Sequence, residues 1–118
     1  MINAKPHYYI DFETNKKKEL FLIGLFADNN FSLTVCDSRL AALSSWPQYK
    51  NEFNIQFAQP KEYLTEILNL IKRTGGILIA YTEAEKRFLN EYLPKHHLAD
   101  VPYVNLAVAA RYWKNKYH

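Results

Sequence analysis

The stretch His7-Tyr8-Tyr9-Ile10-Asp11-Phe12-Glu13-Thr14 decides how the rest of the chain is read. Tyr, Ile and Phe favour extended backbone, so these residues predict a strand from about His7 to Glu13. Side chains alternate along a strand, which puts Asp11 and Glu13 on one face, away from Ile10 and Phe12. Two carboxylates two positions apart at the end of an apolar strand make half of a site for a hard divalent cation, Mg²⁺ or Mn²⁺, which takes oxygen ligands. The competing reading is the wet face of an antiparallel sheet that happens to carry two acids.

Working outward, Thr14 to Glu19 is a polar turn containing Lys16, Lys17 and Lys18. Leu20 to Ala27 and Phe31 to Cys36 are apolar runs joined by Asp28-Asn29-Asn30. Asn and Asp tolerate left-handed backbone angles, so the joint predicts a hairpin and the opening becomes a three-strand meander. From Asp37 to Gln59 two readings stay open. Ser38 to Ser45 suits a short helix ended by Trp46-Pro47, and the alternation of Phe53, Ile55 and Phe57 suits a strand or an extended segment. Pro60 opens a helix whose apolar face is Tyr63, Leu64, Ile67, Leu68 and Ile71, with Arg73 and Gly75 as stop signals. Gly76 to Ala80 is an unbroken apolar run, the pattern of a strand buried on both faces. A second helix starts near Thr82, carries Phe88, Leu89, Tyr92 and Leu93, and stops at Pro94. Val101 to Val104 suits a short strand. The inner stripe of a last helix would be Leu106, Ala109, Ala110, Trp113 and Tyr117. The expected architecture is one α/β domain over residues 1–118, with a mixed sheet of about five strands and about three helices.

A third acid lies in Ile79-Ala80-Tyr81-Thr82-Glu83-Ala84-Glu85-Lys86-Arg87-Phe88-Leu89. Glu85 falls in the first turn of a helix directly after a buried strand. Thr82-x-x-Glu85 is also a capping box, in which the two residues satisfy the free amides of a helix start. Both roles stay open, with Glu83 as the neighbouring alternative ligand.

An apolar strand running into Asp11-Phe12-Glu13-Thr14 resembles the first motif of the DEDD exonucleases, which have a ribonuclease-H-like fold. The segment around Glu85 is similar to the second acidic motif of a bacterial and archaeal branch of that family. The resemblance covers Tyr8 to Tyr112 and implies two-metal phosphodiester hydrolysis, 3′ to 5′, with Asp11, Glu13 and Glu85 as metal ligands and catalytic residues. It further implies a single-stranded nucleic-acid substrate, whose phosphates would meet Lys16, Lys17, Lys18, Lys86 and Arg87. The family's fourth carboxylate is an Asp on a late helix, with Tyr or His a few residues before it. Nothing acidic follows Asp100 here, and Asn105 has a local use as the N-cap of the last helix. A truncated or split gene, a protein partner or downstream segment supplying the missing acid, and a domain that binds without cutting all fit. Asp100 is the remaining acid within the chain that could stand in.

Composition narrows the alternatives. The net charge of +3 permits a polyanionic partner without demanding one, and the nine Tyr and seven Phe suit β-rich packing or base stacking. Cys36 is the sole cysteine, set in an apolar run as a structural thiol would be. Adjacent His96 and His97 diverge and have no partners at zinc-ligand spacing. Phosphate-binding glycine loops and serine or cysteine hydrolase motifs are absent. No apolar run reaches the length of a membrane span and no signal peptide is legible, so the expected location is cytoplasmic, without membrane contact.

Overall fold

The computed structural model describes residues 5–37, 39, 54–93 and 100–117, with the backbone alone for Glu83, Tyr112, Trp113 and Tyr117. The readings placed on Ser38 to Ser45, Trp46-Pro47, Phe53, Pro94 and the His96-His97 pair lie outside these residues, as do the side chains of Trp113 and Tyr117. The described elements, in order, are β1 (His7–Thr14), β2 (Leu20–Ala27), β3 (Asn30–Val35), β4 (Ile55–Phe57), α1 (Pro60–Thr74), β5 (Ile77–Ala80), α2 (Glu83–Tyr92), β6 (Tyr103–Asn105) and α3 (Leu106–Tyr117). They form an α/β structure with one mixed six-stranded sheet in the order β4-β3-β2-β1-β5-β6.

Local chemistry places the first three strands. Asp28 and Asn29 take left-handed φ values of 52° and 60°, the requirement for a tight turn between twisted strands, and Phe26 is thereby paired with Phe31. The β1–β2 turn is held by Asn15, whose Oδ1 accepts from the Lys17 and Glu19 N–H groups at 2.9 and 3.0 Å. β1 and β2 pair antiparallel until the register slips between Glu13 and Thr14. β5 and β6 then add parallel on the far side of β1, and β4 adds parallel to β3. β4 is the strand beyond the expected five, three residues long, and it settles Ile55 to Phe57 as extended.

One face of the sheet carries Tyr8, Ile10, Phe12, Ile23, Leu25, Leu78 and Ala80, and these form the core with α1 and α2. α1 buries Tyr63, Leu64, Ile67, Leu68 and Ile71, the stripe its spacing predicts, and ends on Gly75 at φ 66°. Each such side chain contributes about 2 kcal/mol when fully buried. α2 adds Phe88, whose ring meets Phe12 edge-on at 5.8 Å, and Leu89. β5 is buried on both faces as expected, through Leu78, Ile79 and Ala80.

α3 departs from its expected stripe. Leu106 is half-buried, but Ala109 and Ala110 are exposed. The helix leaves the end of β6 and meets chiefly that strand, so its apolar positions have no described layer to face. Its start is as expected, with Asn105 Oδ1 accepting from the Val108 N–H at 3.2 Å. Among the described residues no helix is long and apolar enough to cross a membrane.

Candidate functional site

β1 is central and outruns β5: their pairing ends at Ile10 with Ala80, leaving Asp11 to Thr14 beyond it. The chain leaving β5 turns into α2 at Thr82, beside that overhang. Glu85, in the first turn of α2, is 3% exposed, and its carboxyl is near enough to that of Asp11 to bear on the Asp11 pKa. A strand and a helix start thus bring together two acids 74 positions apart in the sequence.

Glu85 is held firmly. Its Oε2 accepts from the Thr82 N–H at 3.2 Å and from the Thr82 hydroxyl at 2.5 Å, while that hydroxyl accepts from the Ala84 N–H at 3.2 Å. The capping box is therefore formed. Capping and facing Asp11 are compatible, because a carboxylate has about four acceptor sites and the cap occupies only one oxygen. Partial burial of the Asp11 carboxyl raises its pKa above the ordinary range. The charge of Glu13 raises it further, against hydrogen bonds from Glu85 and the Phe12 N–H.

Glu13 shares the Asp11 face of β1, lies close enough to repel it, and is exposed. It does not complete a cage: among the described residues no three His, Cys, Asp or Glu side chains stand close enough to hold one ion. The site is a buried-to-exposed pair, Glu85 with Asp11, flanked by Glu13. A divalent cation fits this pair chemically, since its charge would offset the partial burial and the Glu13 repulsion that raise the Asp11 pKa. Asp100 is not part of the site. It lines a concavity of about 400 Å³ with Lys5, Lys72 and Gly76, at the opposite ends of β5 and β6. The length of β5 separates it from Thr82, so it cannot stand in for a missing ligand.

The cations expected to meet phosphates fall in two groups. Lys16, Lys17 and Lys18 are exposed on the turn just past the acidic end of β1, with Lys18 at φ 62°. Lys86 and Arg87 are exposed on α2 and line a concavity of about 430 Å³ with Ala84 and Asn90. The Lys86 Nζ also sits 5.8 Å from the Tyr103 ring centre. Cys36 is half-buried, and burial pushes its thiol up to about 11, which disfavours the thiolate at neutral pH.

The motifs did not reveal the surroundings of Asp11. Its partner on β2 is Gly24, and the Phe31 ring leans over that glycine. Counting from the Asp28-Asn29 turn would have found both, since the turn fixes the pairing across β2 and β3. No protein-family model matches the chain, and no curated protein matches it.

Proposed function

We propose that this chain is a ribonuclease-H-like nuclease domain of the DEDD exonuclease type. It would cut phosphodiester bonds of single-stranded DNA or RNA with Mg²⁺ or Mn²⁺ held by Asp11 and Glu85 and flanked by Glu13. The observation that carries this reading is the proximity of Asp11 and Glu85, two acids from separate motifs that the parallel pairing of β1 and β5 brings to the same end of the sheet. Support for the fold comes from the sheet order: an antiparallel meander, then two strands added parallel to its first, is the ribonuclease-H-like arrangement, with β4 as an extra edge.

Within this reading the residues divide the work. A bound divalent ion supplies positive charge to phosphate oxygens and acidifies water. Thr82 fixes the rotamer of Glu85, so that one ligand costs little ordering entropy. Asp11 is the more exposed member of the pair and faces the substrate side. Lys16, Lys17 and Lys18 hold phosphates beyond the strand end, and Lys86 and Arg87 do so along α2. The family's fourth carboxylate has no counterpart in residues 101–118, so this reading assigns it to another polypeptide segment. A second reading, a nucleic-acid or protein interaction domain with a vestigial acidic pair, is favoured by one observation, the absence of a three-acid group among the described residues.

The test is an end-labelled single strand incubated with the chain and Mn²⁺, with Asp11→Asn alongside, while Mn²⁺ binding is followed by calorimetry. The expected outcome is Asp11-dependent ion binding with very slow shortening, accelerated by a helical fragment bearing Asp with Tyr or His several residues before it. No Asp11-dependent ion binding and no shortening under either condition would leave the interaction-domain reading.

A further inference from the structure

The sheet face that bears Asp11 and Glu13 also carries a row of aromatic rings. Residues paired across strands share a face, so Tyr9 on β1, Phe26 on β2 and Phe31 on β3 lie side by side, with His7 two positions before Tyr9. The His7 and Tyr9 rings are 6.2 Å apart and nearly perpendicular, and the Tyr9 and Phe26 rings are 6.3 Å apart and tilted by 58°. Phe26 and Phe31 are 42% and 49% exposed, although Val35 and Ile55 on the same face are buried. Phe57 at the β4 edge and Val104 at the β6 edge of the same face are also exposed, at 42% and 37%, but Phe26 and Phe31 are the exposed rings that adjoin Tyr9.

Three features give the row a direction and a chemistry. Gly24, directly opposite Asp11, has no side chain, and a Cβ built there would lie 3.5 Å from Cε2 and Cζ of Phe31. The Phe31 ring therefore lies over the β2 backbone directly across from Asp11. At the other end a concavity of about 750 Å³ is lined by Lys5, His7, Tyr9, Phe26, Asp28 and Asn29. Along β1, at about 3.3 Å per residue, Tyr9 and His7 stand roughly 7 and 13 Å before Asp11. Cations stand at both ends, Lys5 by the concavity and Lys16, Lys17 and Lys18 beyond the acids, in a chain of net charge +3. This is the layout of a strand-binding surface, where flat rings take bases and flanking cations take phosphates.

We propose that Tyr9, Phe26 and Phe31, with His7 and Lys5 at the margin, form a base-stacking platform that guides single-stranded nucleic acid to the Asp11–Glu85 pair. The assignment of the strand's destination rests on the nuclease reading, whereas the binding itself does not. Asp28 in the concavity repels a phosphate, so the backbone passes on the Lys5 side and Asn29 is left to meet a base edge or sugar.

The experiment is fluorescence anisotropy of a short labelled oligonucleotide with the full chain in EDTA, carrying Asp11→Asn so that no cleavage intervenes. Phe26→Ser and Phe31→Ser should each weaken binding by roughly five- to a hundredfold, the usual loss per stacked base. Phe26→Leu and Phe31→Leu keep apolar bulk without a flat ring and should weaken it similarly while preserving the melting curve. An abasic oligonucleotide of equal charge should bind as poorly as the ring variants do. Equal affinity for the abasic strand, or affinity indifferent to the leucine variants, would overturn the platform and leave attraction by cations alone. A shift from dimer to monomer in the ring variants, with nucleic-acid binding unchanged, would also overturn it and make the face a self-association surface. Either failure would leave the Asp11-dependent response to Mn²⁺ intact, which separates this inference from the nuclease reading.

Discussion

Replacing Glu85 by Gln and by Ala separates its two roles, because the two substitutions remove different things. Glu85 is 3% exposed, accepts two bonds from Thr82 through one oxygen, and lies against Asp11. Gln keeps an oxygen for Thr82 and turns an NH₂ toward Asp11, giving that carboxylate a neutral amide donor in place of a second acid. Such a bond is worth about 1 kcal/mol net, so the metal-free Glu85→Gln protein should be as stable as the parent or slightly more so. Ala removes the reciprocal half of the capping box and leaves Thr82 donors unsatisfied, at a cost of about 1–2 kcal/mol. For a chain of 118 residues the unfolding entropy is about 0.25 kcal/mol per kelvin, so Glu85→Ala should melt about 4–8 °C lower. Mn²⁺ at tenfold its Kd should stabilise the parent by about 1.4 kcal/mol, raising Tm by about 6 °C. Neither variant should show that rise. Differential scanning calorimetry with and without Mn²⁺ reads all four quantities. An undiminished Mn²⁺ response in Glu85→Gln would remove Glu85 from the cation site, and a Gln variant as unstable as Ala would refute the division of its carboxylate between cap and site.

Two further outcomes follow from the same structure. The pKa of Asp11 is raised in the folded state, so its charge costs stability as pH rises through that pKa. Asp11→Asn should accordingly exceed the parent in urea unfolding near neutral pH without metal, and the gap should close below about pH 4, where the acid is protonated folded and unfolded. A gap that stays constant or reverses would mean that Asp11 is not desolvated as described. Gly76→Ala tests the seam between β1 and β5. Its Cβ would lie 2.5 Å from Cε2 of Tyr8, a buried ring whose hydroxyl is bonded to Thr74 Oγ1 at 2.9 Å. Overpacking of this kind costs about 1–3 kcal/mol, a fall of about 4–12 °C in Tm, and an unchanged melt would show that the ring is free to move aside.

What the sequence determined by itself was whatever depends on neighbours along the chain. The apolar spacing of Tyr63 to Ile71 identified the buried face of α1, Asp28-Asn29 identified the hairpin, and Thr82-x-x-Glu85 identified the cap, because each signal is complete within a few residues. The candidate acids could also be named, since Asp11 and Glu85 sit in short local patterns. Their meeting could not be read, because it depends on β5 joining β1 in parallel one register step short of Asp11, and pairing over that separation leaves no local trace. The same holds for the exclusion of Asp100, a loop acid in the sequence and an acid at the wrong end of the sheet in the structure. For α3 the periodic stripe was real, but periodicity specifies only which residues share a side. Whether that side is covered is decided by the layers packed around it, and for Ala109 and Ala110 none is there among the described residues.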